Sequence, residues 1–541
     1  MEIKKNDRIN LKIDSCSING SGVGRYDGMA IFVPATAPGD EITAHILKVK
    51  KSYAFAKVEE VITPSADRIA PECPVYLKCG GCVFSHMDYE AEKKIKADHV
   101  AECFRRIGGI SPGFESIIGS DSDCRYRNKA QYPVAIENGE IRTGFYAPHS
   151  HRVIHCPDCL LQPEEFKDIL AVFSEYIKMY NISVYDETKN KGLLRHIYIR
   201  KGTASGEIMV CAVINGKKLP AENELVTMLT EKESAIKSII INSNTKDTNV
   251  ILGNKCRTLW GEDCITDILC GLKFRISPLS FYQVNRNQAE KLYNKAAEYA
   301  SLTGNETLLD LYCGAGTIGL SMAKNVKTVI GVEIVPEAIE DAKINAELNG
   351  ISNARFICSD AAEAAETLKN EGVKPDVIIL DPPRKGCSPE MINTAVEMNP
   401  DRIVYVSCDP ATLARDCGIF AELGYVAEKA TPVDLFPRTG HCETVCLLTS
   451  VKNQPHIDFD LEIDDFHKKP RNTATYAEIK EYVQEHYGFK VSSKYIGQVK
   501  EKCGLEKREN YNKGNGKSKE LICPPEKEEA IIKAFEYFGM K

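Results

Sequence analysis

No stretch of this chain is long and apolar enough to cross a membrane as a helix, which sets aside integral membrane proteins of that kind. The opening residues, Met1-Glu2-Ile3-Lys4-Lys5-Asn6-Asp7, have no apolar core like that of a secretory leader, so a cytoplasmic protein is expected. Positive charge is not in excess: 69 Lys and Arg stand against 76 Asp and Glu, a net charge of −7. The field of the whole protein therefore does not favour nucleic acid, and any such binding must come from local basic patches. Without an oxidising compartment, the 21 cysteines are expected to be reduced thiols, metal ligands or catalytic groups rather than disulfides.

At 541 residues the chain is too long for one core, and a few domains are expected. Residues 1–62 alternate apolar and polar over short runs, such as Arg8-Ile9-Asn10-Leu11-Lys12-Ile13, divided by turn glycines. They predict a five-stranded β-barrel of the OB pattern. Lys48, Lys50, Lys51 and Lys57, interleaved with Tyr53 and Phe55, are either a face for an oligonucleotide or an exposed hairpin. Then come Cys73, Cys79, Gly80, Gly81 and Cys82. Thiolates gathered this densely usually share a metal centre, and Cys156 and Cys159 are two candidates for a fourth ligand. Four thiolates fit zinc or an iron–sulfur cluster, and spacing does not choose between them.

Residues 88–110 predict a helix with Ile95, His99, Val100 and Phe104 on one face. Residues 125–270 read as mostly strands. Three basic stretches there, at Arg125–Lys129, at Arg142 with His149, His151 and Arg152, and at Leu194–Lys201, are phosphate contacts or solvated strand faces. A mostly-β central RNA-binding domain with the cysteine segment is thus expected over 63–277.

From Pro278 to about 450 the pattern changes to βα units of a Rossmann-like domain. Leu308-Leu309-Asp310-Leu311-Tyr312 runs into Gly314-Ala315-Gly316-Thr317-Ile318-Gly319, a G-x-G-x-x-G turn opening a helix. Two further strands end in Glu333 and Asp360, placed to take ribose hydroxyls and an adenine edge. Either acid alone also reads as a helix cap. S-adenosyl-L-methionine suits the chain better than NAD, because the later motifs have no task in hydride transfer. One motif is the apolar run Val404-Tyr405-Val406-Ser407 ending in Cys408-Asp409-Pro410. Another is Val377-Ile378-Ile379-Leu380 ending in Asp381-Pro382-Pro383-Arg384, and a third is His441-Cys442-Glu443. A cysteine alone is most often a small buried hydrophobe. At the end of a strand beside two carboxylates it reads as a nucleophile. After Thr449, residues 452 to about 472 read as a linker. Residues 455–541 form a helical extension of unassigned role, starting helices at the Thr475 capping box, near Ser493 and near 526.

Together these stretches resemble the RNA uracil-C5 methyltransferases, over about residues 1–450, and most of all the branch acting on 23S ribosomal RNA, with a TRAM domain and a 4Fe–4S cluster. The matching motifs are Asp310–Gly316, Asp381–Gly386, Ser407–Pro410 and His441–Val445. The resemblance implies cofactor contacts from Gln283, Tyr312, Glu333 and Asp381, and cluster ligands at Cys73, Cys79, Cys82 and Cys156. It also implies that Cys408 adds to carbon 6 of uracil and that Glu443 removes the carbon-5 proton. A monomer acting on 23S ribosomal RNA, with no membrane contact, is expected. The alternatives are a transfer RNA enzyme of the same mechanism, a methyltransferase acting on amino groups or protein, and a zinc-containing RNA-binding protein with an inactive methyltransferase-like domain.

Overall fold

The computed structural model describes residues 3–451, 474–505, 523–538 and 540–541. It divides into two compact units, Met1–Gln454 and Pro455–Lys541. No helix among the described residues is long and apolar enough to cross a membrane.

In the first unit, five strands close a barrel: Arg8–Cys16, Ser21–Tyr26, Met29–Pro34, Glu41–Val49 and Tyr53–Thr63, with the fifth paired between the third and fourth. Alternation buries Ile9, Leu11, Ile13, Ile31, Val33, Ile42 and Ile46 inside. The opposite face carries Phe32, Tyr53 and Phe55, their rings 5.4–5.9 Å apart, beside exposed Lys48, Lys50, Lys51 and Lys57.

The central part is a seven-stranded sheet in the order Lys255–Gly261, Ile236–Ser243, Ile208–Ile214, Leu194–Lys201, Lys129–Glu137, Glu140–Tyr146, Val153–His155. It is not all strand. Helices Glu165–Met179 and Glu222–Lys232 contribute to the same core, through Phe166, Ile169, Phe173, Leu225 and Leu229 among others. The strand Leu194–Lys201 also differs from a solvated basic face. Arg195, His196 and Arg200 are all buried, and the two guanidinium groups serve backbone carbonyls: Arg195 donates to Asn244 and Lys246, Arg200 to Ser277 and Ser280, while His196 meets the Tyr146 hydroxyl. These three are not phosphate contacts.

The third part is an eight-stranded sheet in the order Ala354–Cys358, Thr328–Glu333, Thr307–Leu311, Val377–Leu380, Arg402–Ser407, Glu443–Ser450, Tyr425–Val433, Gly113–Phe114. The first five strands are parallel, and Glu443–Ser450 runs antiparallel to both its neighbours. The four inner parallel strands are buried on both faces, which accounts for near-continuous runs such as Val377-Ile378-Ile379-Leu380. The edge strand comes from far upstream in the chain, just after the Tyr89–Cys103 helix. That helix buries Glu92, Lys96, Val100 and Cys103; of the face expected from periodicity, Val100 and Phe104 are buried while Ile95 and His99 are half-buried. A further core joins the central sheet to this one through the Ile265–Leu269/Leu272–Ile276 hairpin and the Arg286–Ala300 helix.

The second unit packs helices Tyr476–Tyr487, Ser493–Lys502 and Pro525–Tyr537 around Ile479, Val483, Ile496, Val499, Ile531 and Phe535. The capping box at Thr475 and Glu478 is formed. Lys502 pairs with Glu528 at 2.7 Å, and Lys500 is 9% exposed with its ammonium 5.2 Å over the Tyr476 ring. Lys500 serves this small core, whereas Lys502 stays at the surface in its ion pair. The linker over 452–472 lies outside the described residues, as do Lys507, Arg508, Lys513, Lys517 and Lys519.

Candidate active site

Strand order alone says where a ligand belongs. From the neighbours Thr307–Leu311 and Val377–Leu380 the chain winds outward in opposite directions, and the crevice at their carboxyl ends is the usual binding position in such sheets. A cavity of about 1430 Å³ opens there. It continues to the cysteine segment, so one space is lined by the sheet ends and by Cys73, Cys79 and Cys82.

On the glycine-turn side, Tyr312 takes a left-handed backbone (φ 68°) and Gly314 another (φ 54°). A side-chain carbon built on Gly314 would meet nothing within 4 Å, which marks open room above the turn. Gly319 is needed for the reverse reason: a carbon there would lie 2.8 Å from the Asp310 carboxylate. The Glu333 carboxylate accepts from the backbone N–H groups of Gly314 and Val335 at 3.1 and 3.0 Å, so this acid braces the turn as well as facing the cavity. Asp360 caps the next helix, accepting from the N–H of Ala362 at 2.9 Å, and lines the cavity rim. The cap reading of that acid holds. Gln283 is 9% exposed, lines the same space, and its backbone carbonyl accepts from the Asn128 amide.

Cys408, Asp381 and Glu443 meet across the cavity. The turn after Cys408 is local chemistry: Asp409 caps the following helix through the N–H groups of Ala411 and Thr412, and Pro410 starts it. The Asp381 turn is closed by a Gly386-to-Pro383 backbone hydrogen bond, with Gly386 at φ 75°. Burial pushes the Glu443 carboxyl up to about 8, Asp381 adds to the rise, and Arg384 opposes it. Burial likewise lifts Asp381 to about 7. The Cys408 thiol rises to about 11 through burial and then the two carboxylates, again against Arg384. At neutral pH the free site thus holds a thiol and a protonated Glu443, with Arg384 the cation that favours ionising both. Titrating groups displaced this far within one cleft are the usual mark of acid–base work.

The second end of the cavity carries five thiols: Cys73, Cys79, Cys82, Cys156 and Cys159. Cys156 and Cys159 share a hydrogen bond that pushes the Cys156 thiol up and pulls Cys159 down to about 7. Cys82 goes up to about 12, by burial and then by Cys159 and Cys79. A soft, all-sulfur donor set of this kind suits zinc or iron–sulfur. Among the described residues, no three Cys, His, Asp or Glu side chains close around a single ion position.

The comparisons with known proteins agree with this geometry. Residues 120–451 match the family model described as tRNA (Uracil-5-)-methyltransferase, and residues 4–58 match the TRAM domain. The chain belongs to the RNA uracil-C5 methyltransferase family. An uncharacterized RNA methyltransferase of Clostridium tetani is 46% identical over 447 residues, covering 83% of this chain and 97% of that protein. One of Listeria monocytogenes is 44% identical over 446 residues, covering 82% and 98%. Among solved structures, the Pyrococcus abyssi tRNA (uracil-54, C5)-methyltransferase in complex with S-adenosyl-L-homocysteine is similar. It superposes with a TM-score of 0.66 at 28% identity, covering 82% of this chain and all of that one.

In this methyltransferase two lysines near the site stand in surroundings the sequence did not reveal. Lys129 lines the cavity, and burial with nearby Arg200 and Arg127 brings its ammonium down to about 8. Lys96 is fully buried between Glu92 and Asp434, each 2.7 Å away. Burial alone would lower its pKa, but the two carboxylates outweigh that and keep it charged. Asp434 also accepts from the Tyr89 hydroxyl at 2.9 Å. It is 0% exposed and does not line the cavity, so it is no stand-in for Glu443 as a base, whereas His441 does line it. A Glu92/Lys96 pair four apart on a helix looks in sequence like an ordinary solvated ion pair. Only packing against the Asp434 loop reveals it as core.

Proposed function

We propose that this protein methylates carbon 5 of a uridine in 23S ribosomal RNA, with S-adenosyl-L-methionine as methyl donor and Cys408 as the covalent nucleophile. The observation that carries the reading is the convergence of Cys408, Asp381 and Glu443 on one cavity beside the glycine turn. Carbon 5 of uracil is a poor nucleophile. Addition of the Cys408 thiolate at carbon 6 makes it an enolate carbon able to attack a methyl group. The donor, when bound, supplies that methyl, and Gln283, Tyr312, Glu333, Asp360 and Asp381 are placed to hold it. Glu443 then takes the carbon-5 proton, the carbon 5–6 double bond re-forms, and the Cys408 sulfur leaves with its electron pair. The base must leave its helix or loop stack to reach a cavity this deep, and the barrel's exposed lysines and aromatics suit the strand around it.

The ribosomal target rests on the motif resemblance, with the five-thiol group alongside it. The similarity to a transfer RNA enzyme makes tRNA the second reading. Mapping 5-methyluridine by mass spectrometry in both RNAs from a deletion strain separates them. Loss from 23S ribosomal RNA alone is the expected result, and loss from transfer RNA alone would replace it.

Cys73, Cys79, Cys82 and Cys156 are the residues to hold a 4Fe–4S cluster. Methyl transfer moves no net electrons, so the cluster's work would be to fold the segment against the substrate cavity. Protein purified without oxygen should be brown, bleach in air, and contain iron and acid-labile sulfide. Stoichiometric zinc without iron would transfer the site to zinc.

A further inference from the structure

The loop from Asp434 to His441 leads directly to Glu443 and lines the cavity with Phe436, Arg438, Thr439 and His441. Each accessory part of the chain grips it at a different residue. The Tyr89–Cys103 helix binds Asp434 through Lys96. The central domain binds Pro437, whose carbonyl accepts from the Tyr126 hydroxyl at 2.9 Å. The barrel meets Gly440 so closely that a side-chain carbon there would lie 2.4 Å from the Ile18 carbonyl oxygen.

Arg438 takes the most bonds. Its carbonyl accepts the backbone N–H groups of Val83 and Phe84 at 2.8 and 3.2 Å, directly after Cys82. Its own N–H donates to Glu92 at 2.7 Å, and its guanidinium donates to the Met87 carbonyl at 2.7 Å and to Asp123. The residue is held at φ 67°, a left-handed backbone that a side chain as large as arginine adopts only when its surroundings impose it. Such a knot does not pack a core. It ties the cysteine-bearing segment to the loop that ends in the proposed base.

We infer that Arg438 is a positioning residue for proton abstraction by Glu443, its guanidinium fixing the loop before that carboxylate through Met87, Glu92 and Asp123. Adduct formation depends on Cys408, which sits on the separate Arg402–Ser407 strand end, so it should be far less sensitive. The inference rests on the covalent reading of Cys408 and Glu443, and the test keeps the two apart.

The full-length protein is given uridine-containing RNA and S-adenosyl-L-methionine, and denaturation-resistant complexes are followed in time. Arg438→Ala should accumulate methylated adduct and slow its release by about tenfold or more, while adduct formation with 5-fluorouridine RNA and binding of S-adenosyl-L-homocysteine change by no more than about twofold. Arg438→Lys, which keeps the charge, should recover part of the release rate. Normal release in Arg438→Ala overturns the inference. So does an equal fall in release, adduct formation and cofactor binding, which is the pattern of a merely structural arginine. If that variant does not fold, Asp123→Ala decides, since it removes one guanidinium acceptor at a half-buried position: slowed release supports the inference and unchanged release overturns it. Failure of the unaltered protein to form any adduct would instead defeat the reading of Cys408.

Discussion

Cys408→Ala should lower turnover on the order of 10⁴-fold or more, with no denaturation-resistant adduct on 5-fluorouridine RNA. Without a sulfur at carbon 6, carbon 5 has no route to enolate character, and no other thiol on the substrate side of the cavity can substitute. Cys313 is buried 6% exposed behind the glycine turn, and Cys442 is 2% exposed and points its thiol at the Val433 and Glu443 carbonyls. Because Cys408 is only partly buried at a strand end, its loss opens no large cavity, and the variant should still fold and bind S-adenosyl-L-homocysteine. Appreciable turnover in it would sink the assignment. It would also favour an amino-group or protein methyltransferase, in which this cysteine has no covalent task.

Glu443→Gln should stop the reaction one step later, with the methylated RNA held on Cys408. The thiol cannot leave until the carbon-5 proton has gone, so product release should slow by about 10²–10⁴-fold while the adduct still forms. The pH dependence has a definite sign. Burial, and then Asp381, raises this carboxyl to about 8, and only its ionised form can accept a proton. Single-turnover release by the unaltered protein should therefore rise with pH below about 8 and level off above it. Adduct formation follows ionisation of Cys408, raised to about 11, and should still be rising where release has levelled. Release at the normal rate in Glu443→Gln would move the role to His441, since Asp434 is committed to Lys96 and Tyr89.

Several parts of this molecule were legible because their cause is local. Barrel strands show in the alternation around Ile9, Leu11 and Ile13. Buried parallel strands show as apolar runs, and each run ends in a residue proposed for the site. Cys408, Asp381, Glu333 and the glycine turn could be named from such ends, because a parallel sheet brings all its carboxyl ends to one edge whatever the rest of the chain does. The tail helices were legible for a related reason: the Thr475 capping box and Gly504 are short-range signals.

What the amino-acid sequence determined by itself is therefore the set of strand-end groups and their family. Charge was where it misled. Arg195 and Arg200 look like a basic strand face yet are buried, and so are Glu92 and Lys96, of which the sequence pattern said nothing. Whether a charge is solvated depends on what packs over it, and here that cover comes from residues 49 to 338 positions away. Tertiary structure alone decided that the cysteine segment and the proposed catalytic groups border one cavity. It also decided that the loop before Glu443 is gripped by the barrel, the central domain and the Tyr89–Cys103 helix. The physical reason is that burial and partner choice are long-range properties, set when the chain's distant segments close on one another, whereas a strand end or a helix cap is written within a few residues.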